Sequence, residues 1–317
     1  MVVGIFGGVQ AGPAASASVT WTSVPPINPG DYNLLTGVTV LSSSNVWAVG
    51  WYTIDDAVLG LIEHWDGTAW QQVPSPNPGG DVETSIYGER AASATNIWAV
   101  GSYQTSGGMK QTLILHWDGI SWKQMPSPNP AGSTGANELY GVVAPSASNA
   151  WAVGNYTPSG STEKTLVLHW NGLAWKRVTS PNPGSRGNTL SAVAASSTTA
   201  WAVGWSSSGT NGKTLALRWN GTAWKQVGTP SPGPSRNFLQ AVRFSSSSNA
   251  WAVGSYYNGT ADQTLILHWN GTAWKRVSSP NPQGSGGLSG VGGFSSTNIW
   301  AVGTGDLSRQ ALAIHCC

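Results

Sequence analysis

The chain has little charge, little sulfur and no long apolar segment. Only 9% of its 317 residues are charged, and its net charge of +2 comes from scattered positions, so no basic stripe indicates a nucleic-acid partner. The adjacent Cys316 and Cys317 cannot form a disulfide framework. No stretch reaches the ~18 apolar residues of a membrane-spanning helix, and no window has the apolar i, i+3, i+4 spacing of a long amphipathic helix. The sequence therefore predicts an all-β chain without a membrane span.

Residues 1–17 differ in composition from the remainder of the chain. Residues 2–9 form a short apolar run, and Ala15-Ser16-Ala17 has the small-x-small form of a signal-peptidase site, although the basic region that normally precedes the apolar run is missing. We expect a signal-peptide remnant here, and the alternative is a disordered leader. Residues 18–317 are rich in Gly, Ser, Thr and Pro, which favours an extracellular protein.

The tetrapeptide Trp-Ala-Val-Gly recurs at intervals of about 50 residues. Its tryptophans are Trp47, Trp98, Trp151, Trp201, Trp251 and Trp300. Such a period, filled with short apolar runs and turn residues, is typical of a β-propeller. The sequence predicts a six-bladed β-propeller over residues 18–317.

One repeat can be divided into four short strands. In the third repeat the apolar runs are residues 139–144, 150–156 and 165–170, followed by a fourth run through Trp175 and Val178. Asn171-Gly172 separates the last two runs, and an Asp-Gly or Asn-Gly pair stands at the same place in four other repeats. Because Asn, Asp and Gly reach positive φ at low cost, these pairs predict hairpins. Each blade should therefore be a four-stranded antiparallel sheet.

The last repeat stops before its fourth strand. Residues 18–24 carry Trp21 and Val24 with the spacing that Trp70 and Val73 have in a complete repeat. We expect this N-terminal strand to pair with the segment around His315. That pairing would close the ring and cover exposed sheet edges.

The repeat resembles a known family. Its second strand ends in an aliphatic residue and Gly, its third ends in an aromatic residue and Asp or Asn, and a Trp and a proline loop follow. In these features residues 19–317 resemble kelch-type repeats, which implies the blade topology. The usual double glycine is single here, since Gly50, Gly101 and Gly154 are followed by other residues. The resemblance implies no catalytic residues, because kelch propellers range from adaptor modules to copper oxidases.

The loops between second and third strands vary most among the repeats. Trp51 and Trp205 follow the repeat glycine in the first and fourth units, and a tyrosine stands one residue further on in four units. These tyrosines are Tyr52, Tyr103, Tyr156 and Tyr256. Aromatic rings near a face of variable loops suit stacking on sugars, so we predict carbohydrate binding there. The alternative is that the rings extend the core between blades.

The first strands carry a second departure from the repeat. Glu89 stands where the first strands of the other repeats have a valine. Arg90 follows Glu89, and Arg243 follows the equivalent Val242 three repeats later. Since first strands line a propeller's axis, these residues predict either an anion site or a structural ion pair. The alternative functions are an extracellular polysaccharide hydrolase or lyase at this axial mouth, and a protein-interaction scaffold.

Five histidines recur one residue before the aromatic residue of the third strand, and Arg218 takes their place in the fourth unit. They are His64, His116, His169, His268 and His315. On separate blades they cannot converge on one ion, so we expect buried structural histidines bonded to a neighbouring blade. No catalytic or cofactor motif is present. The sequence predicts a secreted, monomeric, non-catalytic binding protein without metal or cofactor, whose partner is a glycan or a cell-surface protein.

Overall fold

The computed structural model describes residues 23–281, 284–293, 298–305 and 310–316. They form six antiparallel sheets arranged in a ring, which confirms the predicted six-bladed β-propeller. In this part of the chain the only helical element is one 3-10 turn, Gly132–Thr134, and no helix is long and apolar enough to cross a membrane.

The strands run in chain order within each blade, from the axis outwards. Blade 1 contains β1 (Tyr32–Ser42), β2 (Asn45–Ile54), β3 (Ala57–Trp65) and β4 (Trp70–Gln72). Blade 2 contains β5 (Thr84–Ser93), β6 (Asn96–Gln104), β7 (Lys110–Trp117) and β8 (Trp122–Gln124). Blade 3 contains β9 (Ala136–Ser146), β10 (Asn149–Thr157), β11 (Lys164–Trp170) and β12 (Trp175–Arg177).

The remaining blades repeat this order. Blade 4 contains β13 (Gly187–Ala195), β14 (Ala200–Ser208), β15 (Asn211–Trp219) and β16 (Trp224–Val227). Blade 5 contains β17 (Asn237–Ser246), β18 (Asn249–Tyr257), β19 (Asp262–Trp269) and β20 (Trp274–Val277). The described strands of blade 6 are β21 (Gly286–Gly293), β22 (Ile299–Gly305) and β23 (Gln310–Cys316).

Tryptophans join the successive blades from blade 1 to blade 5. Alternation along the second strand sends Trp and Val to one face and Ala and Gly to the other. In blade 2 the buried ring of Trp98 lies 5.0 Å from that of Trp170 and 5.1 Å from that of Trp175, both in blade 3. The same contacts join blades 1 and 2, 3 and 4, and 4 and 5. The core is therefore a series of layers between blades.

Five apolar clusters cover the interfaces from blade 1 round to blade 6. The faces that blades 6 and 1 turn towards each other are more open. Trp300 is 48% exposed, whereas Trp251 is 8% exposed and Trp98 is fully buried. In blade 1, Val40 is 70% exposed. The predicted closing strand lies almost wholly outside the described residues, since Trp21 precedes Ser23, and Val24 is exposed and not in a strand.

The disc has two different faces. The hairpin face carries the loops between first and second strands together with the Asp-Gly and Asn-Gly turns, where Trp65 Nε1 donates to the carbonyl oxygen of Ser43 at 3.1 Å. Gly67 there has a φ of 101°, as the turn requires. The loop face carries the variable loops and the proline loops, where the backbone N–H of Gly60 donates to Asn77 at 2.9 Å.

Candidate functional site

Two cavities lie at the opposite ends of the propeller axis. The loop-face pocket, of about 430 Å³, opens between the variable loops. Its lining residues are Tyr87, Tyr140, Asn155, Glu163, Thr189, Ser191, Trp205 and Gln240. The hairpin-face pocket, of about 370 Å³, opens at the other end and is lined mainly by first strands. Both cavities fall in the size range of small-molecule sites.

A β-bulge in each first strand supplies the floor of the loop-face pocket. In β5, Ile86 pairs with Gly101 and Gly88 pairs with Val100, so Tyr87 is an extra residue without a partner in the neighbouring strand. A bulge bends the strand and re-aims its side chain, here towards the axis. The bulge residues of the six blades are Thr36, Tyr87, Tyr140, Ser191, Gln240 and Ser289. Four of these residues line the pocket.

The sequence analysis missed these bulge residues. Each is followed by Gly or Ala, as in Tyr87-Gly88 and Ser191-Ala192. A variable residue before a recurrent small one was therefore the available signal. Small residues are needed because first strands approach one another closely at the axis: a Cβ added at Gly88 would lie 2.8 Å from the backbone oxygen of Tyr140.

A charged network borders the pocket on the side of blades 2 and 3. Lys110 Nζ lies 3.0 Å from a carboxylate oxygen of Glu83 and 3.2 Å from one of Glu138. Burial lowers the pKa of Lys110, but its hydrogen bond to Glu83 and the negative charges around it outweigh burial, so the net pKa lies above its ordinary value. Lys110 is therefore firmly cationic and holds both carboxylates in place.

Tyr140 extends this network into the pocket. Its hydroxyl donates to Glu138 Oε2 at 3.1 Å and accepts from Asn155 Nδ2 at 3.4 Å. Burial and the charge of Glu138 raise the pKa of Tyr140 well above its ordinary value. Tyr140 therefore presents a neutral ring and a fixed hydroxyl, and it is not a proton-accepting base.

Glu163 completes the polar wall. Its carboxylate accepts from Asn155 Nδ2 and, at 2.8 Å, from the Thr189 hydroxyl. Burial raises the pKa of Glu163, and the negative charge of Glu138 acts in the same direction, while the two hydrogen bonds lower it. The network thus connects Glu163, which lines the pocket, through Asn155 and Tyr140 to Glu138 beside it, a connection that was not predicted from the sequence.

Aromatic rings form the other walls. The rings of Tyr87 and Tyr140 lie 5.6 Å apart at 45° on the floor. Trp205 stands edge-on to Phe238 of blade 5 at 5.8 Å and is half-buried, so part of the indole is open to the pocket. The arrangement offers flat apolar surfaces next to amide, hydroxyl and carboxylate groups.

The predicted aromatic residues do not all meet in this pocket. Trp205 lines it, whereas Trp51 packs on Tyr32 of its own blade with ring centroids 5.3 Å apart. Each predicted tyrosine is adjacent in its strand to the position of Trp51 or Trp205, and adjacent residues in a strand point to opposite faces. Tyr156 and Tyr256 are buried in the apolar clusters between blades 2 and 3 and between blades 4 and 5, and Tyr103 packs against the cluster between blades 1 and 2. These three tyrosines therefore extend the core between blades.

Tyr103 and Tyr52 line separate peripheral notches, of about 390 and 350 Å³, beside Gln124 and Gln72. In blade 3 an arginine replaces this glutamine. Arg177 lies over the ring of Tyr156 at 4.7 Å and donates to its hydroxyl at 2.6 Å. Tyr256 and Arg276 make the same pair in blade 5.

Glu89, Arg90 and Arg243 come together as predicted, but at the hairpin face, away from the aromatic pocket. Glu89 leans towards blade 1, where its Oε1 would lie 3.3 Å from a Cβ at Gly37. Burial raises its pKa to about 7, against the opposing effects of the Thr39 hydroxyl and the Arg90 charge. Among the described residues neither arginine forms an ion pair within 4 Å. The structure therefore does not contain the predicted structural ion pair.

The histidines are structural in their contacts, but their predicted partners were wrong. His169 Nε2 lies 3.0 Å from Oδ1 of Asn149, and its ring packs on Trp151 at 4.2 Å, all within blade 3. The partner is thus an asparagine of the same blade, and the other four histidines have equivalent partners. They are half-buried or exposed instead of fully buried. The described residues contain no cluster of His, Cys, Asp and Glu that could hold a metal.

No protein-family profile matches the sequence, and no curated protein matches it significantly. Solved structures share its fold. The chain is similar to YCF48 bound to a D1 peptide (TM-score 0.52, 17% identity, 93% of this chain and 85% of that chain). It is also similar to a GH74 xyloglucanase from Xanthomonas campestris (0.53, 13%, 88% and 46%) and to a PL25 ulvan lyase bound to an oligosaccharide (0.54, 9%, 88% and 78%). At these identities the likeness supports the propeller fold, and the kelch resemblance stays a prediction.

Proposed function

We propose that this protein binds carbohydrate in the loop-face pocket, without catalysis, outside the cell. The observation that carries the proposal is the combination of three aromatic side chains, Tyr87, Tyr140 and Trp205, with fixed polar groups in one cavity of about 430 Å³. A sugar ring has an apolar face of C–H groups and a rim of hydroxyls. Aromatic rings complement the first, and groups such as Asn155 and Glu163 complement the second.

The rigidity of the pocket supports this proposal. Tyr140, Asn155, Glu163 and Thr189 hold one another by hydrogen bonds, so little side-chain freedom is lost when a ligand binds. One similar structure is a xyloglucanase and another is an ulvan lyase bound to an oligosaccharide, which supports a carbohydrate ligand. The low charge and the Gly- and Ser-rich composition are the support for secretion.

A glycan array followed by calorimetry with the best oligosaccharide tests the proposal. We expect Trp205→Ala and Tyr87→Ala each to weaken binding at least tenfold, about 1.4 kcal/mol, because each removes one stacking surface. Trp51→Ala is the matched control, since Trp51 has the same repeat position but packs on Tyr32 outside the pocket. A blank array, or equal losses in Trp51→Ala and Trp205→Ala, would refute the proposal. A blank array with capture of a cell-surface protein by the loop face would favour the scaffold alternative.

A second candidate function, a polysaccharide hydrolase or lyase, is favoured by two carboxylates, Glu163 in the pocket wall and Glu138 behind Tyr140. Glu138 is paired with Lys110, whereas burial raises the pKa of Glu163, so their environments differ as those of an acid and a base do. The test is the release of reducing ends or unsaturated sugars from the polysaccharides that bind. Loss of product with Glu163→Gln, while binding persists, would establish catalysis; absence of product with bound polysaccharide favours the binding protein.

A further inference from the structure

The hairpin-face pocket contains two guanidinium groups that form no ion pair within 4 Å among the described residues. Arg90 comes from blade 2 and Arg243 from blade 5, three blades apart in the ring, so they approach the cavity from opposite sides. Elsewhere in the described chain Lys110, Lys123 and Arg236 form ion pairs, and Arg177 and Arg276 lie over tyrosine rings. Arg90 and Arg243 therefore converge on a cavity while lacking any such partner.

The side chains between the arginines are mainly apolar, although most of the surface that is open to the cavity is polar. First-strand valines, among them Val193 and Val242, line the cavity together with Phe244. A guanidinium presents a planar fork of donors that matches the two oxygens of a carboxylate. The valine side chains form no hydrogen bonds, and their small exposed surface complements an aliphatic group. The cavity differs from the loop-face pocket in its charged groups, which are the two guanidinium groups together with Glu89.

We propose that the hairpin-face pocket binds a small organic carboxylate, held between Arg90 and Arg243, with its aliphatic part against the first-strand valines. At about 370 Å³ the cavity lies near the lower limit for ligand sites, which restricts the ligand to a small acid or to the terminal residues of a peptide. This site is independent of carbohydrate binding at the loop face.

Glu89 makes the binding dependent on pH. It is the other charged group in this cavity, its Oε2 has no hydrogen-bond partner, and burial raises its pKa to about 7. Below pH 7 Glu89 is mostly protonated and does not repel a carboxylate; above pH 7 it is ionised and does. The two arginines stay charged throughout. Affinity for the acid should therefore fall as the pH rises from 6 to 8.

Calorimetry with three probes tests this inference. 4-Methylpentanoate represents a free acid, N-acetyl-alanyl-valine represents a peptide terminus, and N-acetyl-alanyl-valinamide lacks the carboxylate. We expect at least one acid to bind and the amide not to bind. The acid that binds more tightly shows whether the ligand is a free acid or a peptide terminus. Arg90→Gln and Arg243→Gln should each weaken binding at least tenfold. Arg186→Gln, which removes an exposed charge outside the cavity, is the matched control and should change affinity less than twofold.

Glu89→Gln supplies the second measurement. The wild-type protein should lose affinity for the acid between pH 6 and pH 8, and Glu89→Gln should bind equally at both pH values. The proposal is overturned if neither acid binds, if the amide binds as tightly as the acid, or if both arginine variants bind like the wild type. Circular dichroism of each variant verifies that the propeller is folded.

Discussion

In blade 3 the imidazole of His169 donates from Nε2 to Oδ1 of Asn149 at 3.0 Å, while its face packs on Trp151. The amide oxygen can only accept, so the proton is on Nε2. Blade 4 replaces both partners together: Thr199 stands where the asparagine would be, and Arg218 stands where the histidine would be. There the guanidinium lies 5.5 Å from the Trp201 ring, and Thr199 bonds the backbone of Trp219 instead. The asparagine and the histidine are therefore present together in a blade or replaced together.

A double-mutant cycle measures the coupling free energy between Asn149 and His169. Asn149→Ala and His169→Ala should each destabilise the protein by ~1–3 kcal/mol, because each leaves a partly buried polar partner unpaired. The double variant should cost less than the sum by ~0.5–1.5 kcal/mol, the net value of one hydrogen bond. Denaturant unfolding supplies the free energies. The control cycle is Thr199→Ala with Arg218→Ala, whose side chains are not bonded to each other and should show no coupling. Strict additivity in blade 3 would contradict the pairing.

The histidines should make stability depend on pH. Burial lowers the pKa of His64, His116, His169 and His268 from 6.5 in the folded protein. As the pH falls below 6.5 the unfolded chain takes up protons first, so this contribution to stability is complete above pH 6.5 and is lost as the pH falls towards the folded pKa.

The measurement is the decrease in the free energy of unfolding caused by His169→Gln, determined at pH 5 and at pH 8. The free energy lost should be larger at pH 8 than at pH 5, because protonation weakens only the protein that still has the histidine. Glu63 and Glu89, whose raised pKa values act in the opposite direction, are present in both proteins and cancel in the difference. A cost that is equal at both pH values, or larger at pH 5, would exclude this effect.

Gln124→Arg should fill the notch beside Tyr103. In blades 3 and 5 an arginine at this position stacks on the tyrosine and donates to its hydroxyl. We expect blade 2 to adopt the same contact, with a gain in stability of ~0.5–1 kcal/mol from the cation–π interaction. Gln226→Arg in blade 4 is the control, since Ser206 replaces the tyrosine there. Thermal unfolding compares the two, and equal changes would show that the ring contributes nothing.

The sequence allowed the scaffold to be predicted because six copies of each strand reported the same packing. The residues around Trp151 and Gly172 recur in the other repeats. The alternation of large and small residues therefore predicted the packing between blades, and the turn residues predicted the strands of each blade. The loop-face site was only partly predictable. Tyr87 and Tyr140 reach the axis because of bulges, which are a property of strand register and have no fixed residue type.

Glu163 escaped the sequence analysis for another reason. It lies at the end of a loop whose conformation depends on its length, and its partners Asn155 and Thr189 come from two blades. The tyrosines were misplaced because only their position along the strand was considered, and not the face of the sheet to which each side chain points. Tyr156 follows Asn155 directly, so Tyr156 points into the core between blades 2 and 3 while Asn155 borders the pocket.

The tryptophans that join the blades also form an optical array. In four successive interfaces an indole lies 4.8 to 5.0 Å from one in the next blade. Indoles so close couple their electronic transitions and pass excitation among themselves, so the native ring should show exciton circular dichroism and depolarised emission. Separation of any two blades interrupts this transfer. The intrinsic fluorescence of the unlabelled protein therefore reports the integrity of these four interfaces.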